Sequence, residues 1–221
     1  MIKKWLSAIG LISDSKHKQA SGESAIPQVL GFTLGAVVNV DRVRLAILED
    51  DLTFENASAS QTILAVGVVP LGEGTRVIRY YTDDDGFFQI LQQGTQDSGV
   101  KEISLWYFFD NTPIDTDSRW DTVLADEVVT PERHYELDGN QFDAYWGHER
   151  PVAMTETTYT SDGQKTETDQ FVMLYSRDIS DGLTEELMIA AEEKGSEMGF
   201  ERIVARSTGI QLKRNHFKVM A

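Results

Sequence analysis

The sequence predicts an α+β fold that is built mainly from antiparallel strands and hairpins. Most segments after residue 25 alternate apolar and polar residues, which is the period of a strand with one buried face. Short turn sequences separate these segments, at 83–86, 138–139 and 161–163. One segment near the C-terminus has helical spacing instead. Because the strands are many and short, we expect two packed sheets or a partly open barrel, with the C-terminal helix covering one face.

The first half of this body is predicted to be a series of strands. Apolar residues alternate over 38–47, with a break near Asp41, and 63–69 is an apolar run that Pro70 ends. The segments 76–82 and 87–91 flank Asp83-Asp84-Asp85-Gly86, so we expect a hairpin there. The aromatic segment 103–109 is typical of a central strand, and the turn-forming residues 110–113 are expected to stop it.

The second half combines hairpins with two helices. Asp117 or Ser118 is expected to cap a short helix over 120–124. The segments 155–159 and 166–174 are rich in Thr, Tyr and Val, which favours a hairpin. Thr184 precedes two glutamates, as at a helix start, and Gly199 provides a stop. The apolar face of that C-terminal helix consists of Leu183, Leu187, Ala190, Ala191 and Met198. A last strand over 202–205 closes the predicted sheet.

Residues 1–12 differ in character from the rest of the chain. Wound as a helix, they place five apolar side chains within an arc of roughly 120°, with two lysines beside it. The residues that we expect to contact a membrane or a partner are Ile2, Lys3, Lys4, Trp5, Leu6, Ile9 and Ile12. Such a stripe suits a lipid headgroup interface or a groove on a partner protein. The alternatives are that this face packs on the chain's own domain, or that the segment is disordered, since so short a helix is marginal in water.

Charge is distributed unevenly along the chain. The formal net charge is −16, yet residues 1–20 carry four lysines against one aspartate, which is +3, so the remaining 201 residues carry −19. An acidic body of this kind repels phosphates, so we expect no nucleic-acid binding. The chain has no cysteine, which excludes disulfides and thiolate metal sites and fits a reducing cytoplasm.

Two regions are expected along the chain. Residues 1–24 form the amphipathic helix and a polar linker, and residues 25–221 form a single globular domain. The apolar run 5–12 is short and no small-residue cleavage site follows it, which disfavours a secretory signal. No stretch approaches the ~20 apolar residues that span a bilayer. We therefore expect a cytoplasmic protein that is either free or peripheral at the inner membrane.

No group of polar residues has the spacing of a known catalytic or metal site. Asp83, Asp84 and Asp85 lack the alternate positions and the final Glu of a calcium loop, so we interpret them as solvated turn residues. If Gly86 takes a positive φ, we expect it to tolerate substitution less than they do. Four aspartates around Pro113 are interpreted as caps and turn-formers, with a partner-docking surface as the alternative: Asp110, Asp115, Asp117 and Asp121. The histidines, which lack metal-ligand spacing, are His17, His134, His148 and His216. We expect no catalytic residue, no metal and no cofactor.

Several motifs, taken in order, resemble one known family. They are YYTDDDGF at 80–87, ISLWYFFD at 103–110 with Trp120-Asp121, PVAMTE at 151–156 and MLYSR at 173–177. The series is similar to the YjfK-like family of bacterial proteins, which carry a domain of unknown function, from about residue 26 to the C-terminus. The resemblance implies no activity and transfers no residue role. Members of that family often lie beside genes for phage-shock-type membrane-stress proteins, which agrees with the interpretation of the N-terminus.

The sequence therefore favours a non-catalytic accessory or adaptor protein. It would meet the inner membrane, or a membrane-associated protein partner, through its N-terminal helix. The alternative is an enzyme or a small-ligand-binding protein whose pocket is built from dispersed residues. A deep pocket with convergent polar groups and perturbed pKa values would favour that alternative.

Overall fold

A computed structural model describes residues 26–196 and 199–220 of the chain. The predicted N-terminal helix and its seven contact residues, Ile2, Lys3, Lys4, Trp5, Leu6, Ile9 and Ile12, lie outside the described residues. The strands of the described part are β1 Val37–Val40, β2 Ser60–Gly72, β3 Thr75–Thr82, β4 Gly86–Gln93, β5 Val100–Pro113, β6 His134–Leu137, β7 Asn140–Ala144, β8 Val152–Thr160, β9 Lys165–Asp178, β10 Thr184–Ser196, β11 Gly199–Gln211 and β12 Phe217–Met220. Its helices are α1 Arg42–Leu48 and α2 Asp117–Thr122, and a π-helical turn over Val123–Glu127 follows α2.

Eight of these strands close into an antiparallel barrel. They pair in the order β2, β3, β4, β5, β11, β10, β9 and β8, and β8 pairs back with β2. The predicted hairpins are confirmed, since β3–β4, β6–β7 and β8–β9 turn at the three expected sites. The partly open barrel that the sequence allowed is closed instead, because β8 reaches from β9 to β2 and leaves the barrel without an edge.

Two outer layers of chain cover the barrel. On one side β1, β12, α1 and residues 26–36 pack over β2 to β5, around a cluster that includes Phe32, Leu45, Ile78, Tyr80, Phe88 and Leu105. On the other side α2, the π-helical turn and β6–β7 pack over β9 to β11, around Trp120, Val123, Phe142, Tyr175, Leu187 and Ile189. Strands under these layers are therefore buried on both faces.

The predicted C-terminal helix is wrong. Of the residues assigned to it, 184–196 form β10, which pairs with β9 along one edge and with β11 along the other. Met198 lies outside the described residues. Leu187, Ile189 and Ala191 face the outer layer, whereas Met188 and Ala190 face the barrel interior, and all five are buried. A strand that is buried on both faces has a continuous apolar run, which periodicity alone does not distinguish from a buried helix.

A second difference concerns residues 42–48, which we expected to alternate as a strand. They form α1, and the break that the sequence showed at Asp41 is the helix start. The Asp41 carboxylate accepts a hydrogen bond from the backbone N–H of Arg44 at 3.1 Å, and Leu45 and Leu48 are the buried residues of the helix. The short helix near Trp120 is confirmed, although Thr116, rather than Asp117 or Ser118, caps it.

Strand β5 also runs further than expected. Residues 110–113 do not stop it, because they pair with the first half of β11. A β-bulge between Arg206 and Ser207 shifts the register at this point.

Candidate functional site

The interior of the barrel is unusually polar. Alternate side chains of each strand point into the barrel, and the polar ones among them include Arg79 and Tyr81 on β3, Gln89 on β4, Glu156 on β8 and Gln170 on β9. Arg79 lies 3.6 Å from the sulfur of Met188 on β10, which is the strand opposite β3 in the ring, so its side chain crosses the interior. Buried polar groups are costly unless they are hydrogen-bonded, so the partners of this cluster decide what it does.

Arg79 is the centre of this interior network. Its guanidinium donates to Glu156 at 2.6 Å, to Gln170 at 2.8 Å and to Gln89 at 3.0 Å. Glu156 also accepts from the hydroxyl of Tyr81 at 2.6 Å. Burial alone disfavours the charged guanidinium, but Glu156 beside it holds the pKa of Arg79 above its ordinary value. Because its members satisfy one another, the network fixes the barrel interior rather than offering free groups to a ligand.

Two glycines make room for this interior. A Cβ on Gly67 would lie 2.0 Å from a carboxylate oxygen of Glu156, and a Cβ on Gly209 would lie 2.6 Å from the ring of Trp106. Neither position needs glycine for its φ angle. The sequence gives no sign of this role, because the atoms that approach each glycine come from distant strands.

A cavity of about 300 Å³ lies at the end of the barrel where β10 begins and β11 ends. We call it the end cavity. It is lined by Arg44 of α1, Tyr145 after β7, Thr184 and Glu186 of β10, and Ile210 and Gln211 of β11. Glu186 also lines a smaller space of about 20 Å³ inside the barrel, together with Glu102 of β5. Glu186 therefore separates the end cavity from the interior.

The pKa of Glu186, in the wall of the end cavity, is far from its ordinary value. It is 4% exposed, and burial together with the nearby Glu102 raises its pKa to about 8. Burial likewise raises the pKa of Glu102. The pKa of Tyr145 rises to about 12, because it is partly buried and lies near both carboxylates. Around neutral pH, Glu186 is thus largely protonated and serves as a hydrogen-bond donor as well as an acceptor.

Asp83, Asp84 and Asp85 form the predicted turn, but the carboxylate of Asp84 is not left to solvent. It accepts hydrogen bonds from the backbone N–H and the hydroxyl of Ser58, and from the hydroxyl of Tyr107 at 2.8 Å. The residue with positive φ is Asp85, at +50°, and not Gly86. Gly86 is needed for another reason, since a Cβ there would lie 2.4 Å from the carbonyl oxygen of Trp106.

The aspartates around Pro113 take more specific roles than the sequence indicated. Asp110 pairs with Arg206 at 2.8 Å, and Asp117 pairs with Arg202 at 2.5 Å, so both tie this region to β11. Among the described residues, Thr116 caps α2, and neither Asp115 nor Asp121 takes that role.

The histidines do not come together. His134 lies on β6, His148 packs edge-on against Trp146, and His216 is buried, where desolvation lowers its pKa. His17 lies outside the described residues. Within residues 26–196 and 199–220, no group of three or more His, Asp or Glu side chains is placed to hold a metal ion. Over the same residues, no helix has the length and apolarity needed to cross a bilayer.

These features define an acidic, closed β-barrel protein with a polar interior and a cavity at one end. The model of a family described as "Protein of unknown function (DUF2491)" matches residues 14–218, and the chain belongs to that family. It is 27% identical over 207 residues to the uncharacterised protein YjfK of Escherichia coli (strain K12), covering 90% of this chain and 91% of that protein. No solved structure matches the chain significantly. The resemblance seen in the sequence is confirmed.

Proposed function

We propose that this protein is a non-catalytic accessory protein of the cytoplasm, and that residues 1–12 attach it to an anionic membrane surface or to a membrane-associated protein. The observation that supports this function most is the contrast between the +3 charge of residues 1–20 and the −19 charge of the rest. Each lysine near an anionic leaflet contributes ~1 kcal/mol, whereas the acidic body is repelled. Attachment is therefore expected to be weak, reversible and weakened by salt.

Trp5 provides the test, because the three other tryptophans are buried. Trp106, Trp120 and Trp146 are 1%, 6% and 3% exposed, so anionic vesicles in contact with the N-terminus should change the emission of Trp5 alone. We expect a blue shift on adding phosphatidylglycerol-containing vesicles to the full chain, and its reversal by salt. Ile9→Asp should abolish the shift, because it puts a charge in the apolar arc.

Val43→Asp is the matched control. Val43 is 73% exposed on α1, so this change adds the same charge to an exposed apolar position of the body. It should leave the blue shift intact. If Trp5 emission is already blue-shifted in the free protein and vesicles change nothing, the segment packs on its own domain and the membrane function is wrong.

The end cavity supports a second candidate function, the binding of a small molecule. Ligand cavities are typically about 300–1,000 Å³ and have few, well-placed polar groups, so the end cavity is at the small end of this range. A thermal-shift screen of small polar molecules on the full chain would test it, with Thr184→Trp as the variant whose side chain fills the cavity. At least one molecule should raise the melting temperature of the wild type but not of the variant. Shifts in both proteins, or in neither, would contradict this function.

A further inference from the structure

Glu186 differs from the other buried glutamates because no cation accompanies it. Glu156 and Glu185 are 2% and 0% exposed, and each is paired with an arginine, Arg79 at 2.6 Å and Arg177 at 2.7 Å. Glu186 is 4% exposed and forms no ion pair with any described residue. Its side chain bonds to Gln211, and the charged group that acts on it is another acid, Glu102. A buried acid without a counter-charge, at the wall of a cavity, is an arrangement that a cationic group would complete.

Arg44 lines the same cavity and has a buried donor with no acceptor among the described residues. Its Nε is buried and finds no hydrogen-bond acceptor among the described residues, and its guanidinium takes part in none of their ion pairs. Arg44 as a whole is half-buried, but a buried N–H donor such as its Nε is normally paired, and a carboxylate matches the planar geometry of a guanidinium. Among the described residues, the end cavity therefore presents one acid and one arginine that each form no ion pair.

We infer that the end cavity binds a small zwitterion of the amino-acid type, with its ammonium or guanidinium group at Glu186 and its carboxylate at Arg44. This inference rests on the small-molecule function proposed above and specifies its ligand. A bare cation would be repelled by Arg44, and a bare anion by Glu102 and by the acidic body. A ligand that carries both charges satisfies both residues.

The walls and the volume of the end cavity suit a short ligand with an aliphatic middle. Leu183, Ile210 and the ring of Tyr145 line it between the charged groups, so they can pack against a short aliphatic chain. A volume of about 300 Å³ is enough for a molecule of amino-acid size.

Ligand binding should be coupled to the loss of a proton from Glu186. The titratable groups that face it are Glu102 from β5, Tyr145 after β7 and Arg44 from α1. Because the pKa of Glu186 is about 8, an ammonium group that binds the carboxylate form must displace a proton at neutral pH. The apparent affinity should therefore rise about tenfold between about pH 7 and pH 9, by proton linkage.

The test is isothermal titration calorimetry of the full chain with three matched probes. 5-Aminovalerate carries both charges, pentylamine only the cation and pentanoate only the anion. We expect 5-aminovalerate to bind most tightly and each single-charge probe to bind at least about tenfold more weakly, which corresponds to the loss of one charged contact. Titrations in two buffers of different ionisation enthalpy should show proton release.

Two variants test which residue binds the cationic group of the ligand and which binds its carboxylate. Glu186→Gln keeps the bond with Gln211 but removes the charge, so it should weaken 5-aminovalerate and pentylamine. Arg44→Gln should weaken 5-aminovalerate but not pentylamine. Glu201→Gln, at an exposed position on β11, is the control and should change nothing.

The outcomes separate this inference from the function on which it rests. If pentanoate binds as tightly as 5-aminovalerate, or if Glu186→Gln leaves 5-aminovalerate binding unchanged, the zwitterion inference is overturned while small-molecule binding stands. If none of the three probes binds at millimolar concentration, the inference is also overturned, and the thermal-shift screen with Thr184→Trp decides the small-molecule function separately.

Discussion

At the scale of single residues, the positions of the turns could be predicted from the sequence, but the contacts that the turn residues make could not. The run Asp83-Asp84-Asp85-Gly86 predicts a hairpin, and the structure confirms it. The sequence did not show that Ser58 and Tyr107 would donate to Asp84, because both come from elsewhere in the chain and no local pattern reports such contacts.

Asp84→Asn should therefore destabilise the protein. The new amide would place N–H donors against donors from Ser58 and Tyr107, and leaving such groups unpaired costs about 1–3 kcal/mol. Asp85→Asn is the control, because Asp85 is exposed and Asn tolerates its φ of +50°, so its effect should stay within about 0.5 kcal/mol. Urea denaturation measures both, and equal stabilities would show that the Asp84 contacts contribute nothing.

Gly67→Ala should be destabilising for a steric reason. The added methyl group would push the Glu156 carboxylate away from Arg79 and Tyr81, which disturbs the whole interior network. We expect a loss of roughly 1–3 kcal/mol in the free energy of unfolding, as for other overpacked interiors. Gly195→Ala, at an exposed site with no atom within 4 Å of the new Cβ, should be neutral by the same measurement. If Gly67→Ala and Gly195→Ala were equally stable, there would be more room beside Gly67 than the structure shows.

At the scale of elements, the sequence identified most strands of the barrel but misassigned β10 as a helix and α1 as a strand. Both faces of β10 are covered, since its inner face meets the barrel interior and its outer face meets the layer formed by α2 and β6–β7. Thr184 and the two glutamates after it looked like a capped helix start. In the structure Glu185 instead accepts from Thr53 and Arg177, and Glu186 lines the end cavity.

The backbone of β10 can be tested directly by NMR. The ¹³Cα and ¹³Cβ chemical shifts of residues 184–196 should have strand-like values, and the amides of residues 185–193 should exchange slowly because this part of the strand is paired on both sides. Residues 117–122, in α2, serve as the internal helical reference. Helical shifts over 184–196 would show that the predicted helix was right and the barrel wrong.

At the scale of the whole molecule, the sequence predicted an antiparallel, hairpin-rich body but not the closure of the barrel or the end cavity. Closure depends on β8 pairing with β2, which lies about ninety residues earlier in the chain, and hydrophobic patterns do not report pairing between distant strands. The end cavity draws Arg44, Tyr145 and Glu186 from three separate segments, so spacing along the sequence gives no signal for it. Charge asymmetry, in contrast, can be read from the sequence directly.

Buried acids should also make the free energy of unfolding depend on pH. The pKa of Glu186 is about 8 in the folded state and near its ordinary value in the unfolded chain, so the folded state holds the extra proton between these values. Its contribution to stability is therefore present at low pH and is lost as pH rises from about 4.5 to about 8, on the order of 1 kcal/mol per unit. Glu192, whose pKa burial raises to about 7, acts in the same direction. Glu186→Gln should reduce this slope when free energies of unfolding are compared across that pH range, and an unchanged slope would argue against the burial of Glu186.

The most direct test is the titration of Glu186, because its pKa depends on β10 being a strand of the closed barrel and on Glu102 being the charged group of the described residues that acts on its carboxyl group. The side-chain carboxyl ¹³C signal of Glu186, assigned by its disappearance in Glu186→Gln, should titrate with a midpoint near pH 8. In the first turn of an exposed helix, the same glutamate would titrate near its ordinary value. A midpoint near about 4.5 would contradict the buried, uncompensated carboxyl group and the end cavity built around it.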